Sequence, residues 1–311
     1  MEIGVYKALA KQYDSQCGDV GRKTASDEDI SGAHTFRQTV RQLTIPHRPL
    51  SALTQPAMAS TYRKLENKHV LIIGGTSGIG LAVASACLSS GALVTISSSS
   101  PSKITTAISS LSDTYPVSKV HGFPTDLSKP TIESDLTALF ESAQSALGTI
   151  HHVVFTAADA LSLGPLSDVT AEGIHAASHF RMVVPIIVAK VASRFVPKTH
   201  LSSIVLTSGS VVEKPMKGWA VVSYFAGGLV ALGRALAVDL APVRVNVVKP
   251  GVVDTGLWGE KREEIVKAMG EKMLTGQVGR VEDVAEAYLW CLKDGNVTGG
   301  VAGSDGGSLL V

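Results

Sequence analysis

Short apolar runs alternate with longer stretches of helical periodicity along most of the chain. Unbroken apolar runs are typical of strands buried on both faces of a parallel sheet, and the intervening stretches are long enough for crossover helices. The pattern predicts strands at 69–73, 93–97, 152–156, 204–207 and 243–248, a third strand leading to Asp126, and helices ending near Ser89 and spanning about 132–146, 181–195 and 221–240. We therefore expect an α/β fold: a single doubly wound parallel sheet with helices on both faces.

The first 57 residues lack this pattern. Pro46, Pro49 and Pro56 interrupt any helix there, and charged, glycine and serine residues are mixed without apolar periodicity. We expect a flexible N-terminal extension over 1–57, with Met58 as an alternative start, and one functional domain over 58–311. A cleavable targeting segment is the other interpretation, but five acidic residues between positions 14 and 29 argue against a transit peptide.

Composition argues against nucleic acid and membranes as partners, and leaves small molecules or other partners. Of 311 residues, 45% are hydrophobic, and 28 Lys and Arg against 27 Asp and Glu leave a net charge of +1, so no bulk field attracts nucleic acid or an anionic membrane. No unbroken apolar run reaches the length of a membrane span. Three separated cysteines without a CxxC pair argue against a disulfide framework and a metal site. We expect a cytoplasmic protein with no metal.

A glycine-rich turn follows the first predicted strand and precedes the first helix. Such a turn needs residues without Cβ where the backbone bends and where a pyrophosphate approaches the helix N-terminus. It predicts dinucleotide binding on a Rossmann-type sheet, the alternative being a turn retained only for folding. The candidate cofactor residues here are Gly74, Thr76, Ser77, Gly78, Ile79 and Gly80.

The end of the second strand predicts which dinucleotide binds. An acidic residue at this point is typical of NAD sites, whereas this chain has Ser97, Ser98, Ser99 and Ser100, with Lys103 close behind. Hydroxyl groups and a cation suit a 2′-phosphate. The sequence therefore favours NADP(H); the alternative is a plain serine-rich loop.

Several further motifs make residues 68–311 resemble the short-chain dehydrogenase/reductase family. They are Asp126-Leu127, the segments 153–158 and 236–247, Pro250-Gly251 followed by Val253 and Thr255, and Asp305-Gly306-Gly307. The resemblance implies that Asp126 and Leu127 face the adenine, Ala157 and Ala158 the ribose, and Val253 and Thr255 the nicotinamide and phosphates. It also implies a homo-oligomer, a dimer or tetramer.

The residues that carry this family's chemistry are not found at the corresponding positions. With the long helix aligned on Arg234–Pro242, Val222 stands for the tyrosine acid, Ala226 for the lysine, Gly209 for the serine and Arg181 for the helical asparagine. Tyr224 does not restore the pair, because no lysine follows four residues later and it lies on the other side of the helix. We expect a non-standard active site.

Four residues are the candidates for replacement chemistry. The Arg181 guanidinium would hold an oxygen that gains negative charge, unless it serves an ion pair or an exposed helix face. Ser208 and Ser210 flank the empty serine position, with loop hydrogen bonding as the alternative. Trp219 would line the substrate mouth or anchor the loop, and Trp258 has the same two interpretations. Pro215 to Trp219 resembles a Pro-x-x-Gly-Trp element of divergent family members from fungal alkaloid pathways, some of which combine reduction with guiding a cycloaddition.

Two further residues, Thr156 and Asp159, follow the fourth strand at the edge where ligands bind in such sheets. Asp159 is either a partner that orients Arg181 or a solvated loop residue. We expect an NADP(H)-dependent oxidoreductase acting on a small, fairly apolar specialised metabolite. A non-redox isomerase or cyclase, and a cofactor-binding protein without turnover, are the alternatives.

Overall fold

One seven-stranded sheet, parallel throughout, forms the centre of the part of the chain that the structure describes, residues 61–311 of this computed structural model. The strands are β1 (His69–Ile73), β2 (Leu93–Ser98), β3 (Val120–Pro124), β4 (Ile150–Phe155), β5 (Ser203–Thr207), β6 (Arg244–Pro250) and β7 (Val301–Ser304). Their order is β3-β2-β1-β4-β5-β6-β7. The chain thus winds outward in both directions from β1 and β4, and a crevice forms at the carboxyl ends of the strands where the direction changes.

Helices cover both faces of the sheet. They are α1 (Gly78–Ser89), α2 (Pro101–Ser112), α3 (Ile132–Leu147), α4 (Ala171–Ser178), α5 (Val184–Phe195), α6 (Ala220–Asp239), α7 (Arg262–Gly270) and α8 (Val281–Lys293). Helices α1, α2 and α8 pack on one face, and α3, α5 and α6 on the other. The predicted α/β class, a Rossmann-type doubly wound sheet, is confirmed.

Alternate residues of each strand supply the two cores. Val70 and Ile72 of β1 belong to the cluster under α1 and α8, while Leu71 and Ile73 belong to the cluster under α3 and α5. All four are essentially fully buried. Because both faces are covered, the strand reads as an unbroken apolar run, which is why the hydrophobic pattern located β1 correctly.

The structure differs from the pattern-based prediction in several elements. Helices α2, α4, α7 and α8 and strand β7 were not among the predicted elements. The predicted start of a helix at Arg181 is wrong: the helical segment runs from Ala171 to Phe195 and contains a π-helical turn over His179–Val183. The extra residue of that turn breaks the 3.6-residue period, so the pattern shows only its second half.

Residues 1–57, predicted to be a flexible extension, lie outside the described residues, as do the first three residues of the domain predicted over 58–311.

The structure contains two helical segments that the sequence analysis did not identify as possible membrane spans. Ala171–Phe195 and Ala220–Asp239 are long and apolar enough, by length and composition alone, to cross a bilayer, although no unbroken apolar run suggested it. Core helices of proteins outside membranes satisfy the same criterion. One side of each helix packs on the sheet, and the apolar side chains that remain, such as Tyr224 and Val238, face outward.

Buried histidines at the amino edge of the sheet make the stability of the folded state depend on pH. His152 of β4 is buried and its Nδ1 lies 2.9 Å from the Ser203 hydroxyl. Burial, reinforced by nearby Arg244, lowers the pKa of His152 to about 3. Since the unfolded chain binds this proton near the ordinary pKa of about 6.5, acid favours the unfolded state.

We therefore expect His152 to contribute a fall of about 2 kcal/mol in the free energy of unfolding between about pH 7.5 and about pH 5. His69 and His151, whose pKa values are also lowered by burial, add to this fall. Urea unfolding at the two pH values measures the loss. His152→Gln keeps a hydrogen-bonding group without a titrating ring and should lose about 2 kcal/mol less than the wild type, whereas exposed His175→Gln should behave as the wild type. A wild-type urea midpoint independent of pH in this range contradicts the prediction.

Candidate functional site

Two cavities meet at the carboxyl edge of the sheet. The first, which we call the glycine-turn groove, has a volume of about 560 Å³ and runs from the β1–α1 turn to the end of β2. The second, the apolar cavity, has a volume of about 710 Å³ and lies beside the start of α6 and the segment around α7. Residues that line both are Ile79, Thr156, Ala157, Ala158, Phe180, Thr255 and Leu257. A ligand in the groove can therefore reach into the cavity.

The glycine turn is shaped by direct backbone contact with the end of β4. Gly74 has a φ of +96°, and a Cβ there would lie 2.5 Å from the Ala157 nitrogen. A Cβ on Gly80 would collide with the Gly74 carbonyl oxygen. Any other residue at either position would push the turn away from β4, so both glycines are required by the geometry.

The N-terminus of α1 faces the groove with its amide groups available. Ser77 precedes the helix, but its side chain makes no capping hydrogen bond, and the first turn has no acidic residue. Free N–H groups and the positive end of the helix dipole favour an anionic group such as a pyrophosphate. The residues present fit a dinucleotide phosphate at this point.

The serines at the end of β2 lie between the strand and the N-terminal cap of α2, and whether they bind a phosphate stays a prediction. Ser97 and Ser98 end β2, and Ser100 caps α2 by accepting a hydrogen bond from the Lys103 backbone nitrogen at 3.4 Å. Ser98, Ser99 and Lys103 line the groove. The cap thus places Lys103 in the first turn of a helix at the groove's edge.

One acidic side chain, Asp126, lines the glycine-turn groove. It accepts hydrogen bonds from the Ser128 hydroxyl at 2.7 Å and from the Ser128 backbone nitrogen at 3.0 Å, and these bonds lower the pKa of the carboxyl group. The carboxylate is thereby held in the turn after β3, while the end of β2 has only hydroxyl groups and a lysine.

Every cofactor residue predicted from the sequence lines one of the two cavities. Those of the glycine turn and of the β2 end, with Asp126 and Leu127, line the groove. Pro250, Gly251 and Val253 line the apolar cavity, while Ala157, Ala158 and Thr255 lie where the two meet. Their roles in binding stay predictions.

The apolar cavity contains no tyrosine among its lining residues. Val222 and Ala226, on the inner side of α6, are buried in its wall. Tyr224 is 66% exposed and is not part of the wall. The cavity is otherwise shaped by large apolar side chains, which include Met216, Trp219, Leu257, Trp258, Met269 and Met273.

Arg181 lies in the cavity wall and is held there by Asp159. The Arg181 Nε donates to the Asp159 carboxylate at 2.9 Å, and Nη2 donates to the Asp159 backbone oxygen at 2.7 Å. The two side chains are 21% and 33% exposed, so the pair is partly shielded from water. The Nη1 group of Arg181 has no partner among residues 61–311.

The candidate serine and tryptophan side chains differ in whether their polar groups already have a hydrogen-bond partner. The Ser208 hydroxyl donates to the Ala226 carbonyl oxygen at 2.8 Å, so its proton is already used. Ser210 lines the cavity, and its hydroxyl has no hydrogen-bond partner within the described part of the chain. Trp219 and Trp258 both line the cavity, and Trp258 Nε1 donates to the Val253 carbonyl oxygen at 2.7 Å.

Two lysines of the cavity were missed by sequence reasoning. Lys214 and Lys272 line the cavity and are exposed to solvent, which places them at its mouth, whereas Lys217 does not line it. Lys214 comes from the loop before α6 and Lys272 from the segment after α7, far apart in sequence. Neither belongs to a motif, so only the folded chain shows that they share one mouth.

Comparison with known proteins agrees with this geometry. Residues 61–311 match the family model described as SDR-like rossmann domain. The chain is 42% identical over 264 residues to the short-chain dehydrogenase/reductase malC of Malbranchea aurantiaca, covering 81% of this chain and all of that one. It is 40% identical over 250 residues to the short-chain dehydrogenase/reductase ATR9 of Stachybotrys chlorohalonatus, covering 79% and 98%.

A solved structure described as MalC Reductase/Diels-Alderase from Malbranchea aurantiaca superimposes with a TM-score of 0.76 at 40% identity, covering 81% of this chain and 100% of that one. The chain belongs to the short-chain dehydrogenase/reductase family, whose members are oxidoreductases that use a nicotinamide dinucleotide. Within it, the chain is related to fungal enzymes of secondary metabolism.

Proposed function

We propose that the chain is an NADP(H)-dependent oxidoreductase that acts on a small, largely apolar specialised metabolite through a non-standard active site. The observation that carries this proposal is the junction of the two cavities. A groove whose glycine turn and helix N-terminus fit a dinucleotide opens directly into an apolar cavity whose lining residues include no tyrosine. Small-molecule sites of enzymes are typically cavities of this size with few polar groups.

The residues of the groove fit the family's cofactor. The glycine turn and the N-terminus of α1 would hold the pyrophosphate, and Ser98, Ser99 and Lys103 would hold a 2′-phosphate. Residues shared by the two cavities, such as Ala158 and Thr255, would flank the nicotinamide. The bound cofactor supplies the hydride.

Arg181 takes the central role in the proposed chemistry. Its Nη1 group is free to donate hydrogen bonds to an oxygen that gains negative charge, while Asp159 fixes the guanidinium plane. A guanidinium does not release a proton near neutral pH, so it stabilises charge without acting as an acid. The free Ser210 hydroxyl lines the same cavity and would donate a second hydrogen bond to that oxygen.

The apolar wall indicates which hydride acceptors suit this site. A positioned general acid contributes about 10²–10⁴-fold to the reduction of a simple ketone. With Val222 and Ala226 in the wall, we infer that the preferred acceptors form a stabilised anion, such as a conjugated enone that yields an enolate. The apolar wall lowers the effective dielectric constant around Arg181, which strengthens its interaction with the enolate, and the enolate takes its proton from water as it leaves the site.

A second function deserves a test, because the structure at 40% identity is described as a reductase and Diels-Alderase. An apolar cavity of about 710 Å³ suits a substrate that must be folded on itself before it cyclises. In that case, product would form without consumption of the cofactor. A protein without turnover would form no product in either condition.

Deuterium transfer from NADPH that carries deuterium at both C4 positions tests the proposed reaction, because the hydride can leave from either face of the ring. In a panel of fused-ring ketones, enones and cyclic iminium ions, we expect label in the product of an enone. Arg181→Met should lower kcat/KM by about 10²–10³-fold because the developing charge loses its donor, and Arg181→Lys should restore little, since an ammonium lacks the planar fork.

Arg194→Met is the matched control, because Arg194 pairs with Glu133 on an exposed surface away from the cavity. It should retain wild-type kcat/KM. Product without label, or unlabelled product that forms equally well without NADPH, contradicts the oxidoreductase proposal and supports the cyclase or isomerase.

The choice of NADP(H) over NAD(H) depends on Lys103. Lys103→Glu should weaken NADPH binding by about tenfold or more, through lost attraction and new repulsion of the 2′-phosphate, and leave NADH binding nearly unchanged. Thermal shift titrations with both cofactors measure this, with exposed Lys267→Glu as the control. Equal loss for both cofactors, or tighter binding of NADH by the wild type, contradicts the preference.

We also propose that the chain forms a homo-oligomer through the outward faces of α5 and α6. Tyr224 and Val238 on α6 are 66% and 77% exposed, and Ile186 on α5 is 48% exposed. Of the most apolar 18-residue stretch of α6, only 22% is buried. An apolar surface of this kind is typical of a face covered by another subunit.

Val238→Asp should convert the oligomer to a monomer, because it places a charge in the covered face. Light scattering measures the mass, and Val117→Asp, at a position 66% exposed on the turn before β3, should leave it unchanged. A monomeric wild type at micromolar concentration contradicts the proposal.

A further inference from the structure

We propose that the apolar cavity selects substrates that carry an anionic or readily ionised oxygen, and that Lys214 and Lys272 at its mouth determine this selectivity. The inference rests on the proposed function, in that it takes the cavity as the substrate site. It specifies the charge of the substrate, which the apolar wall alone does not determine.

The ionisable side chains of the cavity wall all have one sign. Arg181, Lys214 and Lys272 line the cavity, and no Asp or Glu side chain does. A carboxylate at the chain end, beside the lining residue Val311, would offset one lysine and leave the mouth cationic. A cationic ligand would be repelled at the mouth, whereas an anionic one meets favourable charge there and the open Nη1 donors of Arg181, whose charge is shared with Asp159.

Two acids near the cavity, Glu213 and Asp254, are engaged with other cations. Glu213, next to Lys214 in sequence, forms an ion pair with the buried ammonium of Lys249. Asp254 pairs with Arg262 at 2.6 Å. In the part of the chain that the structure describes, neither Lys214 nor Lys272 forms an ion pair within 4.0 Å. Their charges are therefore available to a ligand.

Lys214 is also positioned at the mouth. Its Nζ donates to the Ser308 carbonyl oxygen at 2.8 Å, which fixes the ammonium beside the cavity and leaves two N–H donors for a ligand. An ammonium at the border of an apolar wall interacts with an anion more strongly than one in open water, because the effective dielectric constant is lower. A carboxylate, or the enolate of a 1,3-dicarbonyl compound, has the matching chemistry.

Two fluorescent probes that differ in a single charged group test this selectivity. 8-Anilinonaphthalene-1-sulfonate is anionic, and N-phenyl-1-naphthylamine is the same ring system without the sulfonate. In direct titrations without cofactor, we expect the anionic probe to bind about tenfold more tightly, the gain expected from one or two charge-assisted hydrogen bonds.

Lys214→Met/Lys272→Met should abolish the difference between the probes, with the affinity for the neutral probe kept or increased. Lys217→Met/Lys267→Met removes two exposed lysines that do not line the cavity, and the difference should persist. It should also persist in Lys103→Glu, which removes the cation of the glycine-turn groove. All five positions are exposed, so unfolding does not confound the comparison.

Equal affinities of the two probes for the wild type, no binding of the anionic probe, or a difference that survives Lys214→Met/Lys272→Met would each overturn the inference. These outcomes are separate from the fate of the proposed function. Hydride transfer is absent from the probe titration, so an enzyme that fails the deuterium assay can still show charge selectivity, and the reverse also holds.

Discussion

The contact between the β1–α1 turn and the end of β4 is the constraint on which the site depends. Gly74 packs directly against the backbone of Ala157, and Gly80 against Gly74. This approach brings the N-terminus of α1 to the carboxyl edge of the sheet and makes Ala157 and Thr156 a wall common to both cavities. A side chain at either glycine would separate the groove from the cavity.

The elements closest to this contact were the ones that the sequence predicted well. Strand β1 is an unbroken apolar run followed at once by glycines, and both signals are local. Two features that depend on contacts between residues distant in sequence were not predicted. The π-helical turn at Arg181 hides the first half of its helix, and the grouping of Lys214 with Lys272 exists only once α7 folds over the cavity. The cytoplasmic location stays a prediction.

The pairing of Arg181 with Asp159 was one of two interpretations that the sequence allowed, and the sequence alone did not decide between them. Asp159 was a recognisable partner because both residues were expected at the carboxyl edge of the sheet. Which of two interpretations held, an ordered partner or a solvated loop residue, depended on the position of the loop after β4. The structure joins them through a carboxylate and a backbone oxygen, so one residue fixes the guanidinium at two points.

The proposed chemistry combines a conventional cofactor site with a cavity that stabilises charge by fixed cations. A crystal structure with NADP⁺ bound tests this combination most directly. The account predicts the pyrophosphate at the glycine turn and the nicotinamide against the wall shared by the two cavities, with Arg181 facing the reactive side of the ring. A tyrosine hydroxyl and a lysine ammonium side by side over the ring, or a dinucleotide bound elsewhere, would contradict it.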